Sequence, residues 1–386
     1  MTGPTRHEYQ VTIEPVDPLL FGDNRLARAG ADAFQEDQDP SPLTIFGAIG
    51  GHLLDGKMPV DRNHPQLGRI RKDIFDGEGE TAELLGYALR DEYGNSWFPM
   101  PRHYRMRDGR IPRHWEYLVP HMDEHDPVRS SCPCRYRLIE PSAGEEYEKS
   151  VLISDALLGA ILTGGTPEIS ELDLKPFCDI YLSEPRMGLR MLNDLNTAEE
   201  HMLFTRPYRR FNGGVTGDHG RYSSCGFVAW MRLLAPLDPP GPPDSHGYLG
   251  GDRRRIMLTY QPDPNIMNDM KKKILGAVAG AAGFLLYLLT PAVVTGRDYQ
   301  PYGQPPVAAA LGKPACCSGW NMGGNHPRPI LNLAPAGSVF FYEWPDGRTR
   351  EETIDEQWFA CIGQRYGAAG FGRVIPGVWY NESENR

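Results

Sequence analysis

The chain has 386 residues, 40% of them hydrophobic and 23% charged, which is enough for two or three domains with real cores and too apolar for a disordered chain. A formal net charge of −10 excludes a uniformly basic coat, so any nucleic-acid contact must come from local clusters. Seven cysteines, an odd and scattered set, exclude a small disulfide framework, and the polar start Met1–Gln10 carries no apolar signal segment; the expected compartment is a reducing cytoplasm.

In chain order, Glu8–Val16 alternates apolar and polar residues and reads as a first strand. Leu19–Gly30 is an irregular loop bearing glycine and arginine. Ser41-Pro42 then opens a helix, with serine as N-cap and proline in the first turn, and Phe46, Ile49 and Leu53 fall on one face. Residues 60–145 have no strong periodicity and read as a long insertion. Ser154 caps a second helix that runs to Leu162 and stops at Gly164-Gly165. Leu174–Leu182 is a candidate strand, Gly188–Phe211 a polar hairpin or extended loop, and Cys225–Leu234 a clear strand. Four prolines in Leu237–Ser245 fit neither helix nor inner strand and mark a linker.

Beyond the linker, Arg254–Gln261 reads as a strand and Asn265–Ala282 as a helix. Phe284–Val294 and Ser338–Trp344 follow as strands. The uncharged stretch Ile274–Val294 is long enough to span a bilayer, but its glycines and Pro291 favour a helix followed by a buried strand, so no membrane is expected. Thr353–Tyr366 reads as a helix with a capping box, Thr353 and Glu356, and an apolar face of Ile354, Trp358, Cys361 and Ile362. A glycine loop and the strand Val374–Tyr380 close the series. The order β-α-β-β-α-β suits a ferredoxin-like module. The expectation is α+β: two tandem ferredoxin-like (RRM-like) domains, 1–236 with its insertion and 248–386 with the glycine loop 367–373, joined by the linker 237–247.

Four groups of residues carry candidate chemistry. Gly367–Arg373 exposes backbone N–H groups at glycine spacing, a form that can cradle phosphate, although a plain tight turn has the same composition. No Gly-Lys-Ser/Thr follows, so it is not a nucleotide P-loop. Arg186, Met187, Gly188 and Arg190, followed by Arg206, Tyr208, Arg209, Arg210 and Phe211, interleave cations with rings, as a single RNA strand requires. His121, His125, Cys132 and Cys134 are ligand-capable for a structural zinc, though Cys-Pro-Cys departs from the usual two-residue spacing. His52 is the candidate general acid or base of a rival, nuclease reading. Cys316-Cys317 reads as a pair of buried thiols.

The segments DPLLFGDNR, SPLTIFGAIGG, EPRMGL, LGGDRRR, YLLTPAVV, SGWN with APAGSVFFYEW, and GFGRVIPGVW occur in one order. In that order the chain resembles the third subunit of Cmr-type (type III-B) CRISPR effector complexes, of the RAMP superfamily, from about Val11 to Trp379. The resemblance implies two fused ferredoxin-like folds and a scaffold without catalysis or a required cofactor. It also implies three partners: the 5′ tag of the guide CRISPR RNA, the large polymerase-like subunit and the backbone RAMP subunit. It points to RNA contacts at Ser41 and Thr44, at the arginine box, and at Arg365, Gly370, Phe371, Gly372 and Arg373. The family's early loop often reads Phe-Arg-Asp-Gly-Arg; here it is Phe21-Gly22-Asp23-Asn24-Arg25, which leaves Arg25 and Arg28 as its candidates.

Overall fold

The computed structural model describes residues 7–22, 40–57, 82–106, 115–118, 120–121, 137–138, 151–192, 197–216, 221–233, 245–263, 265–293, 299–318, 320–321, 326–363 and 365–381. The architecture is α+β, and the sheets are antiparallel. The larger sheet is built from β1 (His7–Pro15), β2 (Ala82–Arg90), β3 (Ser96–Pro99), β4 (Val151–Ser154), β5 (Leu174–Pro176), β8 (Gly226–Leu233), β9 (Ser245–Leu249) and β10 (Arg254–Pro262). A separate two-stranded ribbon joins β6 (Tyr181–Leu192) to β7 (Thr197–Phe211). The strands of the larger sheet lie in the order β9-β10-β1-β8-β2-β3-β4-β5. The smaller sheet holds β11 (Gly283–Leu288), β12 (Ala308–Ala310), β13 (Val339–Glu343) and β14 (Val374–Trp379) in the order β12-β13-β11-β14.

One face of the larger sheet is covered by α1 (Pro42–Lys57). Ser41 Oγ accepts from Thr44 N at 3.3 Å, and Ile45, Phe46 and Ile49 are fully buried against Val11, Ile13, Leu84, Phe227, Ala229 and Met231. Each such side chain contributes about 1.5–3 kcal/mol. The opposite face presents Leu85, Ala88, Val228 and Trp230 to the second core, which also takes in α2 (Asp155–Leu162), α3 (Asn268–Gly276) and the smaller sheet. The central strand β8 therefore buries alternate residues in two different cores. Ser154 caps α2 as expected, accepting from Leu157 N.

Several expectations need correction. The stretch 60–145 contains β2 and β3, both members of the larger sheet. Strand β2 is buried on both sides, Leu84 and Leu89 in one core and Leu85 and Ala88 in the other, so its sequence AELLGYALR shows no alternation to detect. Strand β10, placed by the sequence in the second domain, pairs with the first sheet, Val11 opposite Tyr260 and Ile13 opposite Leu258, and β9, which begins inside the expected linker, pairs with β10. Ile256, Leu258 and Tyr260 alternate into the α1 core, and a proline run cannot reveal that the chain returns to the sheet it left. The helix expected over 265–282 is only α3, ended near Gly276 and followed by Gly280 at φ +78°. Helix α4 (Arg350–Gln357) starts one turn early, on the box Thr349–Glu352, and ends before Trp358 because Phe359 is left-handed at φ 56°. Two Thr-x-x-Glu repeats follow each other here, and the exposed first one caps while Thr353 is buried inside the helix. Cys316 faces out and Cys317 in, the alternation of a strand. Among the described residues no helix is long and apolar enough to cross a membrane.

Candidate nucleic-acid interface

In the β6–β7 ribbon, Arg186 lies opposite Arg206, Glu184 opposite Tyr208, and Ser183 opposite Arg209. Its base is tied to the N-terminal loop by paired backbone bonds between Leu19 and Arg209, at 2.8 and 2.9 Å. The same loop reaches the turn before β10, where Gly251 N donates to Leu20 O at 2.7 Å. The turn is tight: Gly250 sits at φ +76°, and Asp252 and Arg253 follow at φ 57° and 48°. Left-handed backbone costs a non-glycine residue about 1–2 kcal/mol, less for aspartate. Through Leu19–Leu20 the chain thus sets the ribbon beside the arginine turn.

The two elements meet at Tyr208. Its hydroxyl donates to Asp252 Oδ2 at 2.7 Å and accepts from Arg254 Nη2 at 3.0 Å. The guanidinium groups of Arg254 and Arg186 lie 4.7 and 5.0 Å from its ring centroid, within cation–π range. Arg206 Nη1 is 3.3 and 3.4 Å from the two Asp252 oxygens. Arg186 and Arg210 share Glu184, at 2.7 and 3.5 Å, and Arg255 pairs with Asp17 at 3.3 Å. The Arg255 guanidinium holds the Asp17 carboxyl below the usual carboxylate range. Arg186, Arg210, Arg253 and Arg255 are exposed, as is Met187 at 77%. The sequence marks Arg253–Arg255 as a basic run but offers no link from it to the ribbon; only the fold brings the two together.

The remaining candidates separate. Arg209 is buried, its guanidinium 4.5 Å from the Tyr181 ring and 5.5 Å from Phe21. Phe211 packs its edge on Phe227 and tilts against Tyr181, so it is a wall of the core. Ser41 and Thr44 are half-buried, their hydroxyls 3.0 Å apart at the α1 cap. Gly188 lies in β6; Arg190 lies there also, with its side chain outside the described residues. Arg25, Arg28, His125, Cys132 and Cys134, and the side chain of His121, lie outside the described residues as well.

The glycine loop does not present a cradle. Gly370 N donates to Gly367 O and Gly372 N to Pro291 O, both at 2.9 Å. Both glycines require their type, at φ +92° and +67°. A Cβ would stand 2.7 Å from the Leu84 side chain at Gly370 and 2.2 Å from Ile362 O at Gly372. Phe371 is buried. Arg373, 6% exposed, donates to Phe359 O at 3.0 Å and Gly367 O at 2.8 Å, and its N–H donates to Thr290 Oγ1. Leu84 N in the larger sheet donates to Ala368 O at 2.8 Å. The loop is therefore a wedge that locks β14 of the smaller sheet onto β2 of the larger; Arg365 alone of its charged candidates is exposed.

Fold and surface define an α+β protein of two fused sheets that carries an arginine ribbon beside an arginine turn. The chain belongs to the family described as CRISPR-associated protein (Cas_Cmr3), whose model matches residues 11–379. No curated relative matches the sequence. Among solved structures it is similar to a chain in "Cryo-EM structure of the Type III-B Cmr-beta bound to cognate target RNA and AMPPnP, state 1", at 16% identity and TM-score 0.47, covering 90% of this chain and 88% of that one. A second similar chain, in the same complex bound to cognate target RNA, has 16% identity, TM-score 0.46 and the same coverage.

Proposed function

We propose that this chain is a non-catalytic, RNA-gripping subunit of a type III-B CRISPR effector complex. It holds the repeat-derived 5′ tag of the guide RNA and bridges the large polymerase-like subunit to the backbone RAMP subunit. Family membership supports the setting. The observation that carries the RNA role is the convergence of Arg186 and Arg254 on Tyr208, beside Arg206 on Asp252, with Arg210 and Arg253 exposed alongside. Clustered guanidinium groups on an otherwise acidic chain supply the local field that phosphates need.

On this reading the scaffold is two ferredoxin-like modules. In chain order, β1, β2, β8 and β10 take the sheet order 4-1-3-2, and so do β11, β12, β13 and β14. Helix α1 connects the first two strands of one module, and α4 the last two of the other. A zinc held by His121, His125, Cys132 and Cys134 would belong to the segment between β3 and β4.

The test is guide-RNA affinity in the assembled complex. Replacing Arg186, Arg206 and Arg210 by alanine together should weaken binding of every tag sequence about equally. It should also lower the salt slope of log affinity by about 0.7 per lost phosphate contact. Unchanged affinity in a complex that still assembles would remove the ribbon from the RNA path.

One observation favours a nuclease reading: the fold brings Tyr260 to His52, with Nδ1 and the hydroxyl 2.9 Å apart and the rings stacked. Burial pushes the Tyr260 phenol up, which keeps it protonated and unfit as a base. The pair ties α1 to β10, a structural duty sufficient to account for it.

A further inference from the structure

We propose that Asp252 is a built-in stand-in for an RNA phosphate, holding the arginine site closed until RNA displaces it. This rests on the RNA reading of the ribbon face. A phosphodiester offers anionic oxygens that accept from guanidinium and hydroxyl donors. The Asp252 carboxylate does the same: it accepts from the Tyr208 hydroxyl at 2.7 Å and from Arg206 at 3.3 and 3.4 Å, with Arg254 3.8 Å away.

The position is easy to vacate. Asp252 and Arg206 have side chains 40% and 38% exposed, so neither ion is trapped. Asp252 is held in left-handed backbone, φ 57° and ψ 22°, and the next residue is left-handed too. The donors, by contrast, sit on strands: Arg206 and Tyr208 on β7 and Arg254 at the start of β10. Tyr208, 6% exposed, anchors the donor side. An exposed acceptor on a turn, facing donors carried on strands, is an arrangement in which an incoming anion can replace the acceptor and leave the donors in place. Because a phosphate entering at Arg206 must displace the Asp252 carboxylate, weak or brief anion contacts are rejected there, and a strand making several contacts at once is favoured.

The experiment measures binding of a twelve-residue oligouridylate to the full chain across a potassium chloride series. The proteins are wild type, Arg206→Ala, Asp252→Asn, Asp252→Gly and Arg206→Ala/Asp252→Asn. Glycine accepts the left-handed backbone at no cost, so Asp252→Gly removes the carboxylate while keeping the turn. The stand-in predicts that Arg206→Ala weakens binding and that both Asp252 variants tighten it about fivefold, the size expected for one exposed charge. The gain should vanish in the double variant.

If Arg206→Ala weakens binding but Asp252→Gly binds no tighter than wild type, the stand-in is overturned and the RNA site survives. A gain that persists without Arg206 is a general charge effect and also overturns it. If Arg206→Ala changes nothing, the RNA reading of this face fails first.

Discussion

Replacing Gly372 by alanine separates a structural wedge from a phosphate cradle. At φ +67° an L-residue costs about 1–2 kcal/mol. The new Cβ would stand 2.2 Å from Ile362 O, and that residue's N–H already donates to Gly372 O at 2.8 Å. The bond and the loop must give way together, which brings the expected loss to about 3 kcal/mol, within the range for strain at a special backbone site. An unfolding entropy of about 2.1 cal/mol/K per residue converts this to a fall of about 4 °C in Tm for a chain of this length. Gly47→Ala is the matching control. Gly47 is helical with nothing within 4 Å of a new Cβ, so alanine should stabilise by about 0.5–1 kcal/mol. Thermal and urea unfolding are read alongside guide-RNA binding in the assembled complex. An unchanged Tm for Gly372→Ala with RNA binding selectively lost would refute the wedge and restore the cradle.

Asp91 is 1% exposed and accepts from Tyr93 N, Asn95 N, Asn95 Nδ2, Trp97 Nε1 and Lys175 Nζ, fastening the β2–β3 turn to β5. Burial would raise its pKa, but the donors outweigh burial and hold it below 3.8. A depressed carboxylate stabilises above its unfolded pKa, so the Tm gap between wild type and Asp91→Ala should be full at neutral pH, about 3–5 kcal/mol in stability, and should close as pH falls below about 4; a gap that does not change with pH would contradict this. Zinc analysis with chelation tests the His121–Cys134 cluster: removal of any bound metal should leave the main melting transition in place, a metal-free chain would remove the zinc reading, and collapse of that transition would put the metal in a core. His52→Ala should lower Tm, and neither it nor the wild type should cleave guide precursor; metal-independent cleavage by wild type that the variant loses would establish the nuclease.

What was legible in the sequence follows from how each element is buried. Strand β1 faces one core and alternates, and α1 and α2 carry local caps at Ser41 and Ser154, so all three can be read directly. Strand β2 lies between two cores and reads as featureless. The return of β10 to β1 is a pairing across more than two hundred residues, which no local signal encodes. Among candidate site residues, Arg186, Arg206 and Arg210 were legible from charge and ring spacing. Arg253–Arg255 is legible as a basic run, but its place beside the ribbon and the Asp252 carboxylate that pairs with Arg206 are not, because the contact depends on Leu19–Leu20 joining ribbon and turn. The glycine loop misled for a physical reason: spacing reveals left-handed backbone but not whether the amides face solvent or, as here, a carbonyl.

The most direct test is site-specific crosslinking in the assembled complex, with 4-thiouridine placed at successive positions of the guide's 5′ tag and the crosslinked peptides identified by mass spectrometry. The account predicts crosslinks in this chain within the ribbon 181–211 and the turn 250–255, lost when Arg186, Arg206 and Arg210 are replaced. Tag crosslinks confined to other subunits, or found in this chain only at the glycine loop 367–373, would contradict it.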